Sequence, residues 1–419
     1  MTIHSTAAGH AAGKGSEPDS VFAVVARIRE AKKQPGAEKI IDGSIGAMRN
    51  EDGSFSILPV VDEVYRQLPP EDLMDYATIT GSPEFIKAAI GYTFMGNQPA
   101  GTFAAAVGTP GGSGAVRSMI YNYLDNGEAV LIPDWFWAPY KTIAEENQRK
   151  TVTYTMFDAD LKFSAGDLKE KAKKYLDLQK QILVIFNTPG HNPTGYSLSK
   201  EDWGDLIPFF KGLAAANPEK RVVIGLDMAY VDYCGDPVES RRFLGMFTDL
   251  PDNLQVVIAF SMSKSFFVYG MRCGAIVGFH KSEEVMRDFT NIHAYSARGT
   301  WSNGSRGAQQ MLAKICNDPE LTARAGVQRG KLVKDLIERA DIFVREAKKE
   351  SLRILPYYGG FFITIPAKDP KAVCAKLEEE KIYLVPMSKG VRLAVCAVPK
   401  AKMPGLAARI KAAQAVIEG

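Results

Sequence analysis

Short apolar runs alternate with longer segments of helical period between residues 129 and 279, and this alternation constrains the fold more than any other feature. Amphipathic stretches such as residues 200–213 separate several of the runs. Buried strands joined by helices are typical of parallel sheets that are covered on both faces. The pattern therefore predicts an α/β fold around a mostly parallel sheet, with strands in the runs AVLIP (129–133), TVTYT (151–155), ILVIF (182–186), VVIGL (222–226), VVIAF (256–260) and GAIVGF (274–279).

A different pattern begins near residue 318. A long charged helical segment spans residues 321–350, and strand-like pieces follow at residues 361–365, 382–385 and 391–395. Such a mixture is typical of a second, smaller α+β unit. We therefore predict a mobile N-terminal arm (1–20), an N-terminal part of the small domain (21–55), a large domain (56–317) and a C-terminal part of the small domain (318–419).

The charge balance and the few cysteines and histidines exclude several classes of function. The 51 Lys and Arg residues against 48 Asp and Glu leave a net charge of +3, which argues against binding nucleic acid or a membrane surface through a basic field. The five cysteines are scattered without a CxxC pair, and five histidines are too few for a multi-His metal site. We therefore expect no metal. No stretch reaches the roughly 18 apolar residues of a membrane span, and the scattered cysteines are typical of reduced thiols, so we expect a cytoplasmic protein.

Lys264 follows the apolar run 256–260 in a segment rich in Ser, Phe and Gly, where Arg272 is the next charge. Burial beside another cation lowers the pKa of a lysine, and the neutral amine can then form a Schiff base. Ser261, Ser263 and Arg272 supply donors for a phosphate monoester. The alternative is a lysine that extends from a loop into solvent.

Three other segments place polar groups after glycines or strands. Gly112 and Ser113 open an amphipathic helix, whose N-terminal amides can receive an anion. Asn192 follows one predicted strand, and Asp227 and Tyr230 follow the next. Ligands of open α/β sheets bind at the carboxyl ends of strands, so these groups are expected to converge. An Asx turn at Asn192 and a helix N-cap at Asp227 are the structural alternatives.

Together, the segments GGSGA, HNPTG, DMAY and SMSKSFFVYGMR resemble the signature of the class I aminotransferases, in the aspartate and aromatic branch of pyridoxal 5'-phosphate (PLP) fold type I. The resemblance implies a large domain with a mostly parallel seven-stranded sheet sandwiched by helices, and a smaller α+β domain. It also implies a role for each of the candidate residues. Lys264 would form the Schiff base and move the substrate Cα proton, and Asp227 would pair with the pyridine nitrogen. Tyr230 and Asn192 would bind the phenolic oxygen, and the phosphate would be surrounded by Gly112, Ser113, Ser261, Ser263 and Arg272.

Two aromatic positions follow from the same resemblance. Trp137, three residues before Tyr140, matches the tryptophan that stacks on the PLP ring and contacts the substrate, and Trp135 is the less favoured choice. Tyr76 matches a tyrosine that reaches the phosphate of the neighbouring subunit's cofactor. The resemblance therefore implies a homodimer with shared active sites.

The substrate side is predicted from arginines, because a bidentate guanidinium holds a carboxylate rigidly. Arg392 matches the family position for the α-carboxylate, and its alternative is a surface arginine on a strand edge. Gly46 matches a main-chain contact to the substrate, which Asn192 also contacts. Arg298 matches the arginine that binds a distal carboxylate across the dimer, but GSRGA is shorter than the family pattern, which leaves Arg306 as a competitor.

The resemblance implies an amino-group transfer between an L-amino acid, aspartate or aromatic, and 2-oxoglutarate. The mechanism would be ping-pong, alternating between aldimine and pyridoxamine forms. A PLP-dependent lyase, decarboxylase or synthase on the same fold is the alternative, since the cofactor serves all of these reactions. A regulatory domain that merely binds PLP is disfavoured, because the Lys, Asp, Tyr and Arg set is complete.

Overall fold

The computed structural model describes residues 7–12, 14–15 and 19–419. The strands are β1 (Ile41–Asp42), β2 (Phe103–Thr109), β3 (Ala129–Pro133), β4 (Lys150–Tyr154), β5 (Gln181–Asn187), β6 (Arg221–Asp227), β7 (Leu254–Ser261), β8 (Gly274–His280), β9 (Phe362–Pro366), β10 (Ile382–Tyr383), β11 (Val385–Pro386) and β12 (Gly390–Ala394). They form one seven-stranded sheet, in the order β2-β8-β7-β6-β5-β3-β4, and two small ones, β11-β12-β9 and β1-β10.

Helices cover both faces of the large sheet, as the alternation of apolar runs and amphipathic segments predicts. The helices of the described residues, including those that pack on the small sheets, are α1 (Ser20–Ala31), α2 (Pro59–Arg66), α3 (Pro70–Met74), α4 (Pro83–Phe94), α5 (Gly111–Asn122), α6 (Pro139–Glu146), α7 (Ala165–Leu178), α8 (Lys200–Ala215), α9 (Met262–Ser265), α10 (Glu283–Thr300), α11 (Arg306–Asn317), α12 (Pro319–Lys349), α13 (Pro370–Glu379) and α14 (Leu406–Glu418). No helix of the described residues is long and apolar enough to cross a membrane.

The mostly parallel seven-stranded sheet is confirmed. The neighbours from β7 through β6, β5 and β3 to β4 all pair in parallel, and β8 alone runs against both of its neighbours. Five of the six predicted runs form strands that are almost wholly buried, namely β3, β5, β6, β7 and β8, and their Val and Ile residues suit a sheet covered on both faces. The sixth forms β4, which is partly exposed because it lies at the edge of the sheet.

Sequence analysis missed strand β2, whose sequence FAAAVGT contains three alanines and a glycine. Those residues are poor strand formers, so the segment shows no strand signal of its own. It is a strand because it pairs along its whole length with β8, for example Ala105 with Gly278. Small residues on both strands allow α10 to pack closely there: a methyl group on Gly278 would meet the ring of Phe289 at 2.7 Å.

The two ends of the chain meet in the small sheets. Strand β1 pairs in parallel with β10, while β12 lies between β11 and β9. The predicted strand at 382–385 is thus two short strands in different sheets. The predicted domain boundaries at residues 20, 55 and 317 stay a prediction. Of the predicted arm, residues 1–6, 13 and 16–18 lie outside the described residues, and Lys14 pairs with Glu146 at 3.1 Å.

The register of the large sheet determines where its polar strand ends lie. Asn187 at the end of β5 is paired with Asp227 at the end of β6, and Asp227 is paired with Ala259 of β7. Ser261 at the end of β7 is paired with Gly274, which is in turn paired with Thr109, two residues before α5. The polar ends of β5, β6 and β7 therefore lie side by side at one edge of the sheet.

Backbone atoms of two neighbouring segments pack tightly against Gly274 at this edge, so we predict that Gly274 does not tolerate a side chain. A methyl group there would overlap the carbonyl oxygen of Phe260 and lie 2.9 Å from the carbonyl carbon of Gly111, both of which are backbone. We expect Gly274→Ala to lower the free energy of unfolding by about 2 kcal/mol, measured by urea denaturation. Gly212→Ala, in α8 with open space around it, is the matched control and should raise it by up to about 1 kcal/mol. Equal effects of the two changes would contradict the packing argument.

Candidate active site

The predicted residues converge on a pocket at the carboxyl edge of the large sheet. Asn187 and Ala229, which sequence analysis did not predict, also line it. All of the predicted cofactor residues except Tyr76 line this pocket. Those that line the pocket are Gly112, Ser113, Trp137, Asn192, Asp227, Tyr230, Ser261, Ser263, Lys264 and Arg272.

Lys264 lies on α9, a single helical turn between β7 and the loop to β8. Its Nζ is 5.4 Å from the ring centre of Tyr230 and 5.9 Å from that of Tyr269. Burial lowers the pKa of Lys264 to about 8, and the charge of Arg272 acts in the same direction, while Asp227 opposes both. The protonated amine still predominates at pH 7, but roughly a tenth is neutral, far more than for a lysine of ordinary pKa, and this fraction can act as a nucleophile or a base.

Asp227 is a buried carboxylate held by two donors. The Tyr140 hydroxyl donates to its Oδ2 at 2.7 Å, and the backbone amide of Ala229 donates to its Oδ1 at 3.2 Å. Burial raises the pKa of Asp227, while the Tyr140 hydrogen bond and the charge of Lys264 lower it in part. A cation placed against this carboxylate would keep it ionised. Sequence analysis missed the contact with Tyr140, because nothing in sequence spacing pairs residues 87 positions apart.

Asn187 connects the ends of two strands with the loop that carries Asn192. Its side-chain amide donates to the Asp227 carbonyl at 2.8 Å, and its oxygen accepts from the Asn192 backbone amide at 2.6 Å. The Asn192 side chain in turn donates to the Tyr230 hydroxyl at 3.5 Å and accepts from Arg392 at 3.2 Å. Asn192 therefore joins the pocket to the residue predicted to bind a substrate carboxylate.

The end of the pocket near α5 carries several hydrogen-bond donors that can bind an anion. Helix α5 begins at Gly111, and its residues Gly112 and Ser113 line the pocket. The backbone amides of a first helical turn have no helical partners and are therefore available to an anion. Arg272 donates to the Ser263 hydroxyl at 3.2 Å and to the Tyr269 carbonyl at 2.9 Å. A methyl group on Gly111, which has a φ of 71°, would come within 2.7 Å of the Arg272 guanidinium. The glycine thus lets the arginine approach the helix terminus.

The structure separates the two candidate tryptophans. Trp137 lines the pocket, and its ring is perpendicular to that of Tyr140 with centres 5.4 Å apart. Trp135 is buried in a separate apolar cluster with Met156 and Leu355. This placement agrees with the choice of Trp137, whose role as the ring-stacking residue stays a prediction.

Arg392 is a buried arginine in β12, not a surface residue at a strand edge. Its guanidinium lies 4.3 Å from the ring centre of Phe362 and donates to the Ser44 carbonyl at 3.1 Å. In the described part of the chain no carboxylate pairs with it, and its Nε has no hydrogen-bond partner. Burial lowers its pKa. A buried, uncompensated guanidinium is a strong site for a carboxylate.

Gly46 lies beside this arginine. A methyl group at Gly46 would come within 2.5 Å of the Phe362 ring, so the absence of a side chain lets that ring lie against Arg392. Phe362 itself was not singled out in the sequence, because an aromatic residue in a buried strand resembles any core residue.

Besides Gly46 and Arg392, three predicted residues do not line the pocket of their own chain. Tyr76 is 82% exposed, and its carbonyl accepts from Arg306 at 3.2 Å. Arg306 also contacts Asp72 at 3.4 Å. Arg298 is exposed at the end of α10 and donates to the Ser302 hydroxyl at 2.7 Å. Their predicted roles require a second subunit and stay predictions.

The lowered pKa of Lys264 predicts a pH-dependent stability in the cofactor-free protein. Below pH about 8 the amine is protonated in both states, and burying its charge destabilises the folded state. Between about 8 and 10.5 the unfolded state binds more protons, so stability rises with pH. We expect Lys264→Met to be more stable than the wild type at pH 7, with a difference that shrinks toward pH 10.

Urea denaturation at a series of pH values measures this difference. The exposed Lys331, changed to Met, is the control for losing any lysine. A difference between wild type and Lys264→Met that does not change with pH would contradict the lowered pKa.

Comparison with known proteins shows the family of this chain. A family model described as aminotransferase class I and II matches residues 38–410. The crystal structure of an aminotransferase from Anaerococcus prevotii is 36% identical, covers 98% of this chain and 99% of its own, and superimposes with a TM-score of 0.95.

Two more distant relatives are similar over most of their length. A mitochondrial aspartate aminotransferase of Arabidopsis thaliana is 26% identical over 77% of this chain and 72% of its own. A Burkholderia pseudomallei aromatic-amino-acid aminotransferase, covalently bound to pyridoxal phosphate, is 21% identical, covers 97% of this chain and 100% of its own, and has a TM-score of 0.79. At that identity the last comparison shows a shared fold.

Proposed function

The chain belongs to the class I and II aminotransferases, and from that premise we propose that it transfers an amino group between aspartate or an aromatic L-amino acid and 2-oxoglutarate, with PLP as cofactor. It is an aminotransferase with the PLP fold type I architecture. The observation that carries the proposal is the meeting of Lys264, whose pKa is lowered to about 8, with the buried carboxylate of Asp227 in one pocket.

The residues present fit PLP. The amides at the start of α5, the hydroxyls of Ser261 and Ser263 and the Arg272 guanidinium are donors of the kind that a phosphate dianion needs. Asp227 would pair with the protonated ring nitrogen, while Tyr230 and Asn192 would bind the phenolic oxygen. PLP, when bound, supplies an electron sink that makes the substrate Cα proton acidic.

The chain's own residues would bind and orient the substrate. Arg392 lies beside Asn192 without a carboxylate partner, so it would clamp the substrate α-carboxylate and fix the direction of the Cα–H bond. The neutral amine of Lys264 would accept the Cα proton. Trp137 would cover the ring and exclude water, which strengthens these polar contacts.

A second subunit would complete the site. Tyr76, Met74 and Tyr295 are 82%, 83% and 86% exposed. Large apolar side chains that are this exposed are typical of surfaces that another protein covers. They lie on the segments that carry Tyr76 and Arg298, the residues expected to serve the neighbouring subunit. We therefore propose a homodimer with shared active sites. The cytoplasmic location stays a prediction.

A lyase, decarboxylase or synthase would use the same pocket, so the first test distinguishes these reactions. PLP-loaded protein mixed with L-glutamate alone should lose the long-wavelength absorbance of the bound cofactor and release one equivalent of 2-oxoglutarate. A donor panel of Asp, Tyr, Phe, Ala and Leu with 2-oxoglutarate then identifies the preferred substrate. Absorbance that persists with glutamate and with every donor of the panel would contradict transamination.

Lys264→Ala tests the assignment of the amine. We expect this variant to remain folded, to lose the covalent cofactor absorbance and to lose turnover by a factor of about 10⁴ or more. Circular dichroism controls for the fold. Turnover within tenfold of the wild type would reject Lys264 as the nucleophile and base.

Arg298→Ala tests the distal carboxylate contact. Removing a guanidinium that binds a carboxylate should lower kcat/KM for aspartate by about a hundredfold, and the value for phenylalanine much less, since phenylalanine has no second carboxylate. Arg306→Ala tests the competing assignment, and a loss confined to aspartate in that variant would move the role to Arg306, which contacts Asp72 and the Tyr76 carbonyl within its own chain. An equal loss for both substrates in Arg298→Ala would exclude the proposed role.

A further inference from the structure

The helical turn that carries Lys264 is held from behind by two side chains that do not line the pocket. The Tyr233 hydroxyl donates to the Lys264 carbonyl at 2.7 Å. The Arg329 guanidinium, on α12, donates to the carbonyl of the next residue, Ser265, at 3.2 Å. Helix α9 is a single turn, so its carbonyls have few partners of their own. The two side chains add donors to these carbonyls.

Both donors belong to a buried charged cluster. Asp232, next to Tyr233, accepts from Arg241 at 2.8 Å and from the Tyr92 hydroxyl at 2.9 Å. Burial alone would raise the pKa of Asp232, but the charges of Arg241 and Arg329 outweigh burial and lower it. The carboxylate therefore stays ionised between two arginines. Breaking one of these buried ion pairs or hydrogen bonds would cost free energy, because it would leave a charge unpaired in the interior. The cluster is therefore a rigid support for the turn that carries Lys264.

The turn needs support because its exit is strained. Phe267, three residues after Lys264, has a φ of 57°, a left-handed conformation that is unfavourable for a bulky residue. Its backbone amide donates to the Lys264 carbonyl at 3.2 Å, and its ring packs edge-on against Tyr233 with centres 6.3 Å apart. Strained backbone persists where the surroundings determine it, and it concentrates at functional sites.

From these contacts we infer that Tyr233 and Arg329 are positioning residues for Lys264, fixing the backbone from which its amine extends into the pocket. The inference rests on the proposed function, in which that amine reacts with PLP. Neither residue touches the pocket, so their removal should impair the reactivity of the amine and leave noncovalent binding of the cofactor's phosphate and ring unchanged.

The experiment separates these two properties in Tyr233→Phe, which keeps the ring and removes the hydroxyl. Stopped-flow absorbance gives the rate constant for covalent uptake of PLP by cofactor-free protein. Fluorescence titration with pyridoxamine 5'-phosphate, which has no aldehyde to react with the lysine, gives the noncovalent affinity. We expect uptake about fivefold slower, the size of one neutral hydrogen bond, with the affinity for pyridoxamine 5'-phosphate within twofold of the wild type.

Arg329→Lys is the second variant, since it keeps the charge beside Asp232 but shortens the reach to the Ser265 carbonyl. It should show the same selective loss. Tyr123→Phe is the matched control, because it also removes a tyrosine hydroxyl that is hydrogen-bonded within the fold, to His293 at 3.3 Å, just past the C-terminal end of α5. We expect it to change neither quantity.

The outcomes are distinct. Uptake at the wild-type rate in both Tyr233→Phe and Arg329→Lys would overturn the inference, and so would a parallel loss of uptake and pyridoxamine 5'-phosphate affinity, which indicates general damage to the pocket. Failure of the wild type itself to take up PLP would instead refute the proposed function.

Discussion

The in-register pairing of β5, β6 and β7 is the constraint on which the site depends. Because the three strands run parallel, Asn187, Asp227 and the turn that follows Ser261 reach the same edge of the sheet. A slip of one residue in β6 would turn Asp227 to the opposite face of the sheet, away from Lys264. Burial of the hydrophobic runs, which holds the register, therefore also holds the distance between the carboxylate and the amine.

Charge is distributed unevenly around this edge. Lys264, Arg272 and Arg392 lie at or beside the pocket, and Asp227 is the acidic residue that lines it. A site with this excess of cations is complementary to a phosphate dianion and a substrate carboxylate. The net charge of +3 for the whole chain does not show this, because the many surface charges cancel around a few buried ones.

Sequence patterns predicted the parts of the structure that local chemistry determines. The apolar runs became strands, and the four motifs together with the segment of Trp137 placed ten predicted cofactor residues around one pocket. Sequence patterns could not show β2, whose alanines form a strand through pairing with β8, or Asn187, which connects two strand ends. They also missed Tyr140 against Asp227 and Phe362 against Arg392, which are contacts between distant segments. The roles predicted for Tyr76 and for Arg298 or Arg306 need a second subunit, and contacts within one chain do not test them.

Lys264 is the amine proposed to carry the cofactor, and peptide mapping after borohydride reduction would identify it. Reduction of the PLP-loaded protein makes the bond between lysine and cofactor permanent, and mass spectrometry of the digest identifies the modified residue. We expect a stoichiometric pyridoxyl group on Lys264. A label spread over other lysines, or an unmodified peptide containing Lys264, would refute this assignment.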